Sequence, residues 1–301
     1  MPVLSPSITS PVRRTLFAAV LAACAWSGSA FAAPFASDRI TVTTQGTGSD
    51  VVLIPGMASS PRVWAELMAA VPGHRYHLVK VNGFAGAPKR GNSAGNVVAP
   101  VAEEVARYMA QSGLKKTPVI GHSMGGSVTL MLAARHPDAV GKIMVVDMVP
   151  FLGQLFGPPG TTAQSVKPTA DAIFARMQAA SPEARRTSSA AMIKSMVNTE
   201  SMRAGALEDT LTSDQDVVAR VYQELIVTDL GPELGAIKAP ATVLFVTPAG
   251  MPITEAQMTA TYQGAYAALK GVQLKYIPGS AHFIMWDQPA RFQAEVKAFL
   301  D

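Results

Sequence analysis

Short runs of β-branched and other apolar residues alternate with longer helical patterns from Arg39 to the end of the chain. The β-rich runs cover residues 40–44, 51–54, 77–81, 117–120, 143–146, 242–246 and 272–277. The segments between most of them, such as 97–112 and 128–135, repeat apolar residues every three or four positions. This alternation predicts an α/β protein with a mostly parallel central sheet and helices on both faces.

Two of the β-rich runs, 51–54 and 143–146, are continuously apolar, which is typical of strands buried on both faces. The first run differs, because Thr41 and Thr43 alternate with apolar residues and the turn Gly46-Thr47-Gly48 follows. That pattern predicts an antiparallel hairpin at the edge of the sheet.

The alternation breaks within residues 150–239, which contain a Gly- and Pro-rich loop and then helical pattern without a convincing strand. We therefore expect a helical cap inserted between a first core part, residues 33–149, and a second core part, residues 240–301. Ordinary core packing is one interpretation of the methionines in this insertion. The other is an adaptable apolar wall beside a binding site, formed by Phe174, Met177, Met192 and Met196.

Composition excludes several classes of protein. Of the 301 residues, 49% are hydrophobic and 15% are charged, which indicates a globular chain. A formal net charge of +4 is too small and too scattered to indicate binding of nucleic acid. No stretch beyond residue 33 approaches the length of about 18 apolar residues that a membrane helix needs, so we expect no span in the mature protein. The sequence does not indicate the oligomeric state.

The first 32 residues have the pattern of an export signal. Arg13-Arg14 precede an apolar run, and the small-residue stretch ending at Ala32 predicts cleavage before Ala33 and a periplasmic or secreted protein. A competing lipobox-like site would make an acylated Cys24 the new N-terminus. Cys24 is the only cysteine, so the chain has no internal disulfide and no thiolate metal site.

The strongest motif is Gly121-His122-Ser123-Met124-Gly125, which follows a β-rich run and precedes a helical pattern. In such a strand-turn-helix, the glycines remove Cβ atoms that would collide, and the serine hydroxyl projects above the carboxyl edge of the sheet. The start of the helix places the N–H of Met124 where an oxyanion would form.

On this motif the chain, from about residue 39 to residue 300, resembles the α/β-hydrolase superfamily. The resemblance implies that Ser123 is a nucleophile, and it argues against the dehalogenases and epoxide hydrolases that carry aspartate at that position. A serine nucleophile needs a nearby base. Of the five histidines, His282 follows the last β-rich run, where the superfamily keeps its base. The resemblance also implies a second oxyanion donor after the family's third strand, here the N–H of Met57.

The triad acid is the least typical part of the pattern. The superfamily usually has an aspartate soon after the run 242–246, yet no carboxylate appears there before Glu255. A subset of the superfamily places its acid one strand earlier, where this chain has Asp147. The sequence leaves three alternatives. Asp147 is the acid, or Asp147 only caps its loop, in which case Glu255 or Asp229 is the acid.

These patterns predict an exported serine hydrolase that cleaves small-molecule carboxylic esters through an acyl-enzyme, without a metal or organic cofactor. Acyl transfer, perhydrolysis, lactone opening or carbon–carbon bond hydrolysis would use the same serine. A binding protein that keeps the motif without turnover is the alternative from another class.

Overall fold

The computed structural model of the protein describes residues 1–4, 35–248, 250 and 252–301. Apart from its first four residues, the predicted export signal lies outside the described residues, including Cys24 and the cleavage point after Ala32.

One sheet contains seven strands of the described chain, in the order β1-β3-β2-β4-β5-β6-β7. The strands are β1 (Ile40–Gln45), β2 (Ser49–Ile54), β3 (His74–Val81), β4 (Thr117–His122), β5 (Val140–Val146), β6 (Ala241–Phe245) and β7 (Gln273–Tyr276). Every neighbouring pair is parallel except β1 with β3. The predicted α/β class and mostly parallel sheet are therefore confirmed, and each β-rich run is a strand.

The predicted hairpin is wrong in its pairing. β1 lies at the sheet edge, but it runs antiparallel to β3, with Ile40 opposite Val81, and β3 separates it from β2. β2 is apolar at both faces and is paired on both sides, by β3 and β4. The mostly exposed β1 instead occupies an edge, where its polar residues remain in contact with solvent.

The described helices are α1 (Ala65–Ala70), α2 (Val98–Gln111), α3 (Met124–Arg135), α4 (Ala163–Ala179), α5 (Pro182–Met196), α6 (Glu200–Thr212), α7 (Gln215–Val227), α8 (Glu255–Ala265), α9 (Ile284–Asp287) and α10 (Pro289–Leu300). In this part of the chain, no helix combines the length and the apolar character that a membrane span requires.

Alternate residues of β2 enter two hydrophobic clusters on opposite faces of the sheet. Val52 and Ile54 pack with α2, α3 and α8, whereas Val51 and Leu53 pack with α1 and α10. All four side chains are fully buried. Successive side chains of a strand point to opposite faces, so an uninterrupted apolar run is what a sheet covered on both sides requires.

Helices α4 to α7 lie between β5 and β6, within the segment 150–239 that the sequence predicts to be an insertion. Local sequence sets their starts: the side chain of Thr162 caps α4, Ser181 caps α5 and Asp214 caps α7. Each side-chain oxygen accepts a hydrogen bond from a backbone N–H of the first turn that would otherwise lack a partner.

Two buried carboxylates anchor this insertion to the core. Glu224 of α7 accepts hydrogen bonds from the backbone N–H groups of residues 97–99, at 2.6, 2.9 and 3.0 Å, where α2 begins. Asp209 of α6 accepts hydrogen bonds from Ser60, at 2.9 Å from its backbone nitrogen and 2.6 Å from its hydroxyl oxygen. Ser60 lies in the loop after β2, so the second anchor connects the insertion to the loop that carries a predicted oxyanion donor.

Candidate active site

Ser123 occupies a sharp turn between β4 and α3. Its φ of 54° and ψ of −122° match position i+1 of a type II′ turn, a conformation that costs a non-glycine residue about 1–3 kcal/mol. A Cβ atom on Gly121 would lie 2.0 Å from the carbonyl oxygen of Gly125, so the strand and the helix can approach this closely only with glycine at position 121. The surrounding packing holds Ser123 in a strained conformation at the carboxyl edge of the sheet.

His282 follows β7, and its imidazole faces Asp147, which directly follows β5. His282 Nδ1 lies 2.5 Å from Asp147 Oδ2. An ionised carboxylate can only accept hydrogen bonds, so Nδ1 carries the proton, and in the neutral ring Nε2 is left with its lone pair. The structure thus brings together two residues that are 135 positions apart in the sequence.

The other oxygen of Asp147 is held by the protein. Oδ1 accepts hydrogen bonds from the backbone N–H of Val246 and from the hydroxyl of Tyr262, both at 3.2 Å. Burial and the neighbouring carboxylate of Asp147 raise the pKa of Tyr262 well above its usual value, so Tyr262 remains a donor. Asp147 therefore both contacts the histidine and caps the backbone, and the sequence had offered these two roles as alternatives.

Neither of the other predicted acids occupies this position. Asp229 accepts a hydrogen bond from the backbone N–H of Gly231 at 2.8 Å, within its own turn. Glu255 is exposed in the first turn of α8. Asp147 is therefore the carboxylate that contacts His282 among the described residues.

The loop after β2 lies close to Ser123. A Cβ atom on Gly56 would lie 3.2 Å from the Cβ atom of Ser123, so the backbone of this loop approaches the serine directly. Within the described chain, the N–H groups of Met57 and Met124 donate no hydrogen bond to any residue. Met124 directly follows Ser123 in the chain, and Met57 lines the same two cavities as Ser123.

No hydrogen bond joins Ser123 Oγ to His282 Nε2 in the described chain, although both residues line the same cavities. In structures without a substrate, contacts between a nucleophile and its base are often long and tighten when substrate binds. Ser123 and His282 therefore face the same cavities, where one bound molecule can contact both side chains.

The sequence did not reveal the contact that His122 makes. This histidine is fully buried, and its Nε2 lies 3.0 Å from the backbone carbonyl oxygen of His282. Burial lowers the pKa of His122 well below the usual value, and the neighbouring His282 lowers it further. His122 is therefore neutral and donates from Nε2 to the backbone that carries the predicted base. No local pattern signals a contact across 160 residues.

Two cavities meet at Ser123 and His282, and described residues line both. The larger has a volume of about 630 Å³ and lies mainly against helices of the insertion. The smaller, of about 250 Å³, lies against the strand ends and the loop after β5, and Asp147 lines it. Met57, Met196 and Tyr222 line both cavities. The two cavities thus extend in two directions from Ser123.

Three of the four predicted wall residues line the larger cavity, namely Met177, Met192 and Met196. Phe174 lines neither of these cavities, whereas its neighbour Ile173 lines the larger one. The α4 face towards the cavity carries residue 173 together with residues 176 and 177, which follow it by three and four positions. Phe174 is one residue, and so about 100°, away from position 173 of this face.

A comparison with known proteins identifies the family of this chain. The family model for the alpha/beta hydrolase fold matches residues 51–289. The pimeloyl-[acyl-carrier protein] methyl ester esterase of Vibrio vulnificus (strain YJ016) is 32% identical over 108 residues. That alignment covers 36% of this chain and 40% of the relative, so the chain spans less than half of the length of the relative that it matches.

Solved structures extend the likeness of the fold to most of the chain. The enol-lactonase from Burkholderia xenovorans LB400 has a TM-score of 0.69 and 18% identity, covering 87% of this chain and 96% of that one. The bromoperoxidase from Bacillus anthracis has a TM-score of 0.71 and 18% identity, covering 87% and 95%. These structures share the fold and differ in their named activities. With the family model matching most of its length, this chain belongs to the alpha/beta hydrolase fold family.

Proposed function

We propose that the protein is a serine hydrolase that cleaves carboxylic esters through a triad of Ser123, His282 and Asp147. The observation that carries the proposal is the 2.5 Å contact between His282 Nδ1 and Asp147 Oδ2 beside a serine on a strained turn. A carboxylate in this position holds the imidazole in one tautomer and stabilises its protonated form. It leaves Nε2 as the base for a serine that is otherwise a weak nucleophile.

In the first half of the proposed reaction, Ser123 Oγ attacks the ester carbonyl carbon while His282 Nε2 takes the hydroxyl proton. The N–H groups of Met57 and Met124 stabilise the oxyanion of the tetrahedral intermediate. His282 then returns the proton to the departing alcohol, which leaves an acyl group on Ser123. In the second half, water attacks the acyl-enzyme with His282 again as the base, and the acid product leaves with Ser123 restored.

The named activity of the Vibrio vulnificus relative supports an ester as the scissile group, since that protein is a methyl ester esterase. Acyl transfer, perhydrolysis, lactone opening and carbon–carbon bond hydrolysis would use the same serine. Product analysis with an ester in the presence and absence of an acceptor alcohol or peroxide separates these reactions.

The decisive test combines a covalent probe with two variants. A fluorophosphonate should label the protein at Ser123, and it should not label Ser123→Ala. Ser123→Ala and His282→Ala should each lower ester hydrolysis by at least about a thousandfold, because triad members act as a unit. Ser112→Ala and His136→Ala change an exposed and a partly buried residue that line neither cavity, and they serve as matched controls. If either site variant folds and keeps a tenth of the activity, the proposed mechanism is wrong.

We also propose that the protein is exported, on the basis of the signal-like pattern of residues 1–32. N-terminal sequencing and intact mass of protein from its native host should show a chain beginning at Ala33, or at an acylated Cys24. Cytoplasmic protein that keeps Met1 would contradict this proposal.

A further inference from the structure

Charge is distributed unevenly between the two cavities that meet at Ser123. Arg176 and Arg185 line the larger cavity, and no acidic residue does so among the described residues. The smaller cavity has the opposite character, because the carboxylate of Asp147 lines it. An anionic group would therefore be attracted to the larger cavity and repelled from the smaller one.

Arg185 of α5 is held in place without being neutralised. Its Nη2 donates to the backbone carbonyl oxygens of Thr210, at 2.8 Å, and Ser213, at 2.6 Å, at the end of α6. No carboxylate of the described chain forms an ion pair with Arg185. Burial lowers the pKa of Arg185 and the carboxylate of Asp214 partly opposes that fall, but Asp214 is itself held by Lys89 and by the first turn of α7.

Arg176 of α4 supplies a second cation. It is exposed at the rim of the cavity, and in the described chain it forms no hydrogen bond or ion pair. Burial raises the pKa of Tyr222, which lines both cavities, and the nearby charge of Arg176 partly opposes that rise. A guanidinium presents donors in a planar fork that suits a carboxylate or phosphate.

Most of the remaining lining of the larger cavity is apolar. Ile173, Met177, Met192, Ile193 and Val218 contribute to it. A cavity of about 630 Å³ lies within the range of small-molecule sites. Its lining matches a substrate that combines an apolar chain with an anionic group.

We infer that the larger cavity binds substrates whose apolar chain ends in an anionic group, and that Arg176 and Arg185 recognise that carboxylate or phosphate while the ester lies at Ser123. This inference rests on the proposed ester hydrolysis. The smaller cavity then takes the uncharged group on the other side of the ester bond.

The test uses monomethyl esters of straight-chain dicarboxylic acids against methyl alkanoates and dimethyl esters of matched length. At neutral pH the free carboxyl group of the half-ester is ionised. The wild-type protein should favour the half-ester in kcat/KM at one range of chain lengths by about tenfold or more, since a hydrogen bond to a charged group is strong. High salt should reduce this preference. A phosphate-terminated methyl ester distinguishes the two anion types.

Arg176→Gln and Arg185→Gln should each lower the ratio of half-ester to neutral-ester kcat/KM by about tenfold, mainly through KM. Arg176→Lys and Arg185→Lys keep the positive charge and should retain part of the preference. Arg186→Gln, on the same helix but outside the cavity lining, should leave the ratio unchanged.

Equal kcat/KM values for half-esters and neutral esters at every length would overturn the inference and leave the proposed function intact. Binding provides a readout that does not depend on turnover. The Ser123→Ala protein should bind the half-ester more tightly than the neutral ester by calorimetry, and adding Arg185→Gln should remove the difference. If Ser123→Ala and the double variant Ser123→Ala/Arg185→Gln bind the half-ester equally tightly, the inference is refuted, even if no ester is hydrolysed.

Discussion

The substitution Glu224→Gln tests how the helical insertion is attached to the core. Both oxygens of Glu224 accept hydrogen bonds from the N–H groups of residues 97–99, at 2.6 to 3.0 Å. These groups lie at the start of α2 and have no partner within their own helix. Glutamine has nearly the same shape, but it retains one acceptor oxygen and directs an NH₂ donor towards other donors.

The expected loss follows from the hydrogen bonds that the structure shows. A hydrogen bond to a charged group contributes about 1.5–3 kcal/mol, against about 0.5–1.5 kcal/mol for a neutral pair. The negative charge at the helix N-terminus adds about 0.3–1 kcal/mol. In Glu224→Gln, the hydrogen bonds to the remaining oxygen are weaker and at least one hydrogen bond to the other oxygen is lost. The free energy of unfolding should therefore fall by about 2–4 kcal/mol. For a chain of this size, we expect a fall of about 5–10 °C in the thermal midpoint.

Urea and thermal unfolding of the purified variant measure this loss. Glu183→Gln is the matched control, because Glu183 is exposed in the first turn of α5. Its effect should stay within about 0.5 kcal/mol. Glu224 lies on the same helix as Val218 and Tyr222, which line the larger cavity, so activity towards long substrates should also fall. A midpoint shift no greater than that of the control would refute the anchoring role.

Three further predictions concern the site. Asp147→Asn should lower kcat by about a thousandfold or more with the fold unchanged, because an amide can favour the wrong imidazole tautomer; a tenth of wild-type turnover would contradict this. Met177→Ala should shift acyl chain-length preference, at about 1–3 kcal/mol per methylene, and Phe174→Ala should not; equal shifts would refute the assigned wall. His122→Gln keeps a donor for the carbonyl of His282. Because burial lowers the pKa of His122 in the folded protein, the unfolded chain takes up the proton first. Wild-type stability should therefore fall below about pH 6.5, by up to about 1.4 kcal/mol per pH unit from this group. The variant should lack that part of the fall in urea titrations at about pH 5 and about pH 7, and an equal fall would refute it.

The sequence by itself determined the features that depend on neighbouring residues. Period-two and continuous apolar runs identified all seven strands, because a sheet covered on both faces demands that pattern. The turn at Ser123 was equally local, since the glycines at positions 121 and 125 are required within a few residues of it.

Tertiary structure decided which distant groups meet. Asp147 could have capped its own loop, and it contacts His282 because β5, β6 and β7 are neighbours whose carboxyl ends lie at one edge of the sheet. The pairing of β1 with β3 likewise depended on competition among all strands for the centre of the sheet. Apolar periodicity predicts a helix, but it does not predict how that helix is rotated about its axis when it packs. The rotation of α4 places Ile173, and not Phe174, in the lining of the larger cavity.

The helical insertion shows most clearly that the sequence does not predict which distant residues meet. Its helical character follows from the pattern of its residues, yet nothing in that pattern indicates that Arg176 and Arg185 share a cavity with Ser123. Charged residues on a helix are usually solvated, and only the packing of α4 and α5 places these two at the same cavity. Local propensity and patterning act over a few residues, whereas a binding site depends on the relative positions of whole elements, which are fixed only when the core packs.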